Sequence, residues 1–160
     1  MKARSFIEKH DHHKHPAHVE KLDKAVWGLK RGQTIAIATP KEVSAFFKRV
    51  PAGKTRSMDD LRAALARKHK ADGACPLTTG IFSRISAEAA LERIAQGAKP
   101  ADVPAFWRVI DPRSPLAKKL SCGPDFIREM RALEGIGEPT PDKTKAAKKK
   151  STPRKPTKRS

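Results

Sequence analysis

The sequence predicts a mainly α protein built around a helix-turn-helix, with a short strand and a disordered basic C-terminal tail. Three observations carry this. Two helical apolar patterns flank a glycine-containing turn at 50–61, a third helical pattern follows at 86–97, and from residue 138 onward Lys, Pro, Thr and Ser take over the composition.

The central pattern is the clearest. Val43, Phe46, Phe47 and Val50 fall at i, i+3, i+4 and i+7, which puts them on one helical face. Thr39-Pro40-Lys41-Glu42 supplies the start, with a capping hydroxyl, a proline at the first position and an early acid. After Pro51-Ala52-Gly53, the next helix begins at a Ser57 cap with Asp59 and Asp60 suited to its positive end, and Leu61, Ala64 and Leu65 form its apolar face. The turn between them carries Lys54, Thr55, Arg56 and Ser57. Two cations and two hydroxyls beside a helix start suit a phosphate backbone; the same residues also suit a plain αα-corner with solvated charges.

The remaining elements follow in chain order. Residues 1–18 read as a His-rich disordered N-terminus, since they are polar and hold His10, His12, His13, His15 and His18, five of the six histidines. Such a tract can hold Zn²⁺ or Ni²⁺ loosely or be merely solvated, and without Cys or regular helical pairing no metal site is expected. Residues 19–38 read as a docking helix and lead-in. Val19, Leu22, Val26 and Trp27 predict a short amphipathic helix between Ala17 and Lys30, and Ile35 and Ile37 alternate with small residues as in a brief strand.

Residues 39–137 form the expected folded domain. Beyond the central helices, 72–80 reads as a loop, and Ser86 opens a third helix with Ala87, Ala90, Leu91 and Ile94 on one face and Gly97 at its end. A later helix of a helix-turn-helix enters a DNA groove, and an alanine-rich one can approach closely or simply pack tightly. The prolines at 100 and 104 exclude a helix, and Phe106 to Ile110 reads as a short buried strand in which Arg108 requires a partner. A short helix over 116–120 and a final helix with Phe126, Met130 and Leu133 on one face complete the domain. Residues 138–160 contain no hydrophobic side chain larger than Ala and read as a disordered Lys/Pro-rich tail.

Charge points to the partner. The formal net charge is +18; the last twenty residues hold nine Lys/Arg against one Asp, and 31–140 hold nineteen against twelve acids, so the excess is not the tail's alone. A polyanion is the expected partner, and double-stranded DNA leads. No long apolar run suggests a membrane. Cys75 and Cys122 form no CxxC pattern and no signal peptide precedes them, which fits a reducing, cytoplasmic setting at a bacterial nucleoid. Cys75 has no close sequence neighbour to lower its thiol pKa, so it reads as a small hydrophobe.

Three blocks in order resemble the O6-alkylguanine-DNA alkyltransferases. Phe46 through Ser57 is similar to their "IP.G.T.SY" entry, Lys99-Pro100 through Trp107-Arg108-Val109-Ile110 to their "NP…PCHRVI" segment, and Gly123 to Gly135 to their closing "GL..K..LL..EG" helix. The resemblance covers about 39–136 and implies a winged helix-turn-helix that binds DNA and flips an alkylated base. It implies DNA contact by Thr55, Ser57 and Arg108, beside the Lys54 and Arg56 cations already read as phosphate-suited, with Lys99 standing where the family has asparagine. Ala90 falls nearest the family's base-replacing arginine, with Arg93 one turn away as a substitute. Met58 replaces the flipping tyrosine, and with Phe106 and Trp107 it is a base-pocket candidate.

The nucleophile does not carry over. Ala105-Phe106-Trp107-Arg108 holds neither the cysteine nor the histidine of PCHR, so the resemblance implies the alkyltransferase-like proteins, which bind damaged DNA without repairing it. The expectation is a monomeric, non-enzymatic DNA-binding protein without cofactor, open to other DNA-repair proteins as partners. The alternatives are an active methyltransferase with a relocated cysteine at Cys75 or Cys122, and a nucleoid-associated architectural protein bound by its tail.

Overall fold

The computed structural model describes residues 4–137; the tail expected to be disordered lies outside the described residues. The fold is mainly helical with a small three-stranded sheet. In chain order it runs α1 (Phe6–Asp11), β1 (His18–Lys21), β2 (Thr34–Ile37), α2 (Pro40–Arg49), α3 (Met58–Lys68), β3 (Gly73–Ala74), α4 (Pro76–Ala95), 3₁₀ turns at Pro100–Asp102 and Phe106–Arg108, α5 (Pro115–Lys119) and α6 (Gly123–Leu133). No helix among the described residues is long and apolar enough to cross a membrane.

The central helices start as their caps dictate. Thr39 accepts the Glu42 N–H, and Ser57 and Asp60 exchange the two bonds of a capping box, each satisfying a helix-start amide that has no partner within the helix. Val43, Phe47 and Leu61 are completely buried and meet Phe106, Trp107, Ile110 and Ile127 in one core. The parallel β2–β3 pair brings Ile35 opposite Gly73 and Ala36 opposite Ala74. A side chain on Gly73 would come within 2.9 Å of Leu29 Cδ1, so the Leu29 side chain would have to shift to admit one.

Four expectations are corrected. The His-rich terminus contains α1, capped by a Ser5–Glu8 box and tied to α4 where both Glu92 carboxylate oxygens accept the Phe6 and Ile7 N–H groups at 2.9 and 3.0 Å. In place of the docking helix at 17–30 there is β1, antiparallel to β2 with His18 opposite Ile37. Its connection turns at Trp27 and Gly28, with φ of +52° and +79°, and these left-handed residues end any helical path there.

Helix α4 starts ten residues earlier than the Ser86 start, with Pro76 in its first turn, where a missing backbone N–H costs nothing. In place of the expected strand at Phe106–Ile110 there is a 3₁₀ turn at Phe106–Arg108 wound into the core, with Val109 N–H donating to Phe106 O at 3.0 Å. Phe106, Trp107, Val109 and Ile110 are all buried, a pattern that suits a coiled segment enclosed on every side rather than an alternating strand.

Phe47→Ala, which opens a cavity among these side chains, is expected to cost about 3–5 kcal/mol. The measurement is urea unfolding: the midpoint falls while the slope stays constant.

Candidate nucleic-acid interface

The turn from Val50 to Ser57 is held from behind at three backbone points. Arg108 Nη1 donates to Val50 O at 2.7 Å, Gly53 N–H donates to Glu134 Oε1 at 3.2 Å, and Arg56 N–H donates to Arg108 O at 2.9 Å. Gly53 has φ of +82° and closes the turn with a geometry that a side chain would strain.

Arg108 and Glu134 form the anchor. Arg108 Nε and Nη2 donate to the two carboxylate oxygens at 2.8 and 2.7 Å, a bidentate arrangement, and Trp107 Nε1–H adds a third donor at 2.9 Å. Both ends of the pair are largely buried, with side-chain exposures of 17% and 14%. Burial alone would raise the Glu134 pKa, but the bonds from Arg108, Trp107 and Gly53 outweigh it and hold the carboxyl below its ordinary range.

This anchoring leaves Lys54, Thr55, Arg56 and Ser57 exposed on the outer side of the turn. Next to them lies a cleft of about 520 Å³ whose lining includes Arg56, Met58, Asp60, Asp111, Ser114 and Arg131. Its charges are mixed. Asp60 is held ionised by the Ser57 N–H and Asp111 by Arg113, while Arg131 is buried with its Nε donating to Trp107 O at 2.6 Å. A cleft with carboxylates, hydroxyls and guanidinium groups suits a neutral polar group with donors and acceptors better than a phosphate.

The structure thus brings the turn residues and Met58 together and removes others from the candidate surface. Ala90 is fully buried and cannot reach a ligand. Arg93 is engaged in an ion pair with Asp11 at 2.8 Å. Phe106 and Trp107 are core side chains, 0% and 2% exposed, so neither is open to stack on a base, and the Trp107 N–H is committed to Glu134. Arg108 acts inward and positions the turn. Lys99 is exposed, just ahead of the Pro100 turn.

Sequence reading missed Glu134 and the outward face of α4. That face lies in its first half, where Leu77 and Ile81 are 65% and 56% exposed. They sit at i and i+4, a spacing that was readable once 76–85 is taken as helix. Glu134 gave no such signal, because its partners are 26 and 81 residues away. Of the N-terminal histidines, His10 bonds Ser44 and Asp11, and His13 packs edge-on against Phe82.

No protein-family model matches the chain, and no curated protein or solved structure matches it either.

Arg108→Ala is expected to cost about 3 kcal/mol, because Glu134 is left largely buried without its partner. The pH dependence has a definite sign. Glu134 has a lowered pKa when folded, so its contribution is complete above the ordinary carboxylate range and disappears as pH falls through the folded value. Chemical denaturation from pH 7 to pH 3 should therefore show a steeper loss for the native chain than for Glu134→Gln.

Proposed function

We propose that this chain is an alkyltransferase-like DNA-binding protein that grips the duplex through the Lys54–Ser57 turn and does not transfer the alkyl group. In this reading α2 and α3 flank the turn of a winged helix-turn-helix, α4 is the later helix that faces the groove, and the work is done in the bacterial nucleoid. The observation that carries it is the rigid anchoring of an exposed cationic turn by the largely buried Arg108–Glu134 pair. A solvated corner has no need of three backbone restraints, whereas a phosphate-binding turn gains from having its donors fixed before binding.

The mixed cleft beside Met58 is the place for an extruded, alkylated base, whose edge would meet hydroxyls and charged donors and acceptors. The exposed first half of α4, with Leu77 and Ile81, takes the groove-facing role expected of the later alanines. Recognition without alkyl transfer is supported by the state of the two thiols. Cys75 is buried, and burial together with Glu88 pushes the Cys122 thiol up to about 11, so it stays protonated at neutral pH. The basic tail adds attachment that is independent of sequence.

Duplexes with and without O6-methylguanine, titrated across a salt series, test this. The expected result is tighter binding to the methylated duplex, with no gain of a methyl group in the intact-protein mass. Lys54→Ala/Arg56→Ala should lower the slope of log K against log salt by about 2. Failure to bind any duplex at low salt ends the proposal; equal affinity for both duplexes removes lesion recognition and leaves DNA binding. A chain lacking 138–160 should keep duplex binding with a shallower slope, and loss of nearly all affinity would mean that the tail is the binder.

A further inference from the structure

A second cleft, of about 390 Å³, shares no lining residue with the one beside Met58. His10, Asp11, Lys41, Ser44, Lys48 and Arg93 are among the residues that line it, and Asp102 adds a second carboxylate, so three cations face two acids there. Ser44 Oγ lies 2.7 Å from His10 Nε2, and His10 Nδ1 lies 2.7 Å from Asp11 Oδ1. Arg93 Nη2 in turn reaches both Asp11 oxygens, at 2.9 and 2.8 Å.

The chain of contacts has a chemical direction. Burial disfavours the Asp11 carboxylate, but bonds from His10 and Arg93 more than compensate, so it stays ionised. An ionised carboxylate at Nδ1 keeps the proton there and leaves Nε2 as the acceptor for the serine hydroxyl. Ser44 is buried in the middle of α2 and borders the cleft. Lys41 and Lys48 stand at i−3 and i+4 from it on the same helix face, each exposed and each outside every ion pair found among the described residues. The fastening of α1 does not depend on the Ser44–His10 contact, because Glu92 already holds its first amides and Arg93 holds Asp11.

We propose that Ser44, His10 and Asp11 form a nucleophile–base–carboxylate centre that cleaves small carboxylic esters bearing a negative charge. Ser44 Oγ attacks the acyl carbon while its proton passes to His10 Nε2. The C–O bond to the alcohol breaks, and the alcohol leaves with that proton. Water then attacks the acyl-serine, again giving a proton to His10, and its hydroxyl becomes part of the released acid while the proton returns to Ser44. Lys41 and Lys48 hold the substrate's anionic group and offset charge on the acyl oxygen, a task that the interior amides of α2 cannot take because the helix already uses them.

The test uses the full chain and a fluorophosphonate. Attack forms the Ser44 O–P bond, breaks P–F and releases fluoride, with the serine proton taken by His10. The expected product is one adduct per chain, mapped to Ser44 by peptide mass, absent in Ser44→Ala, and formed at least about 100-fold more slowly in His10→Gln that melts like the native chain. p-Nitrophenyl hydrogen succinate should be cleaved faster than p-nitrophenyl acetate, and Lys41→Ala/Lys48→Ala should abolish that preference. Absence of any adduct on Ser44 in the native chain overturns the proposal, and so does labelling that His10→Gln leaves unchanged.

Discussion

Glu134 decides where the exposed turn sits, and most of what can be said about function depends on it. Its carboxylate collects the Gly53 N–H, the Trp107 indole N–H and two Arg108 nitrogens, joining the loop after α2, the 3₁₀ turn at 106–108 and the end of α6. Such a site tolerates a charge only because each oxygen is fully occupied by donors. The same contacts that satisfy the buried pair leave Lys54 and Arg56 outside. A local polar requirement of the core is thereby turned into a fixed cationic surface.

The N-terminal helix follows a similar logic at a different place. A six-residue helix is too short to hold itself in water. Glu92 supplies acceptors for its first amides, and Arg93 pairs with its last residue. Polar contacts thus attach a segment that has no buried residue of its own.

Legibility in the sequence followed the range of the interactions. Helices α2 and α3 were readable because Thr39, Pro40, Ser57 and Asp60 act within one turn. The capping box at Ser5 and Glu8 was equally local, and a histidine-rich composition obscured it. The docking helix at 17–30 failed because its apolar spacing is helical while Trp27 and Gly28 turn the chain, a conflict that pairing with β2 resolves in favour of strand. In the candidate site, the exposed turn and the need of Arg108 for a partner were visible, but the partner was not. Glu134, the burial of Ala90 and the Asp11–Arg93 pair all depend on contacts between distant segments.

In the proposed function, position rather than charge alone fits the turn to DNA. Glu134→Gln separates the two, since it removes a negative charge from the protein while loosening the anchor behind Gly53 and Arg108. Duplex affinity of this variant at fixed salt is the most direct measurement. The account predicts weaker binding despite the more positive chain; affinity that is unchanged or increased would contradict it.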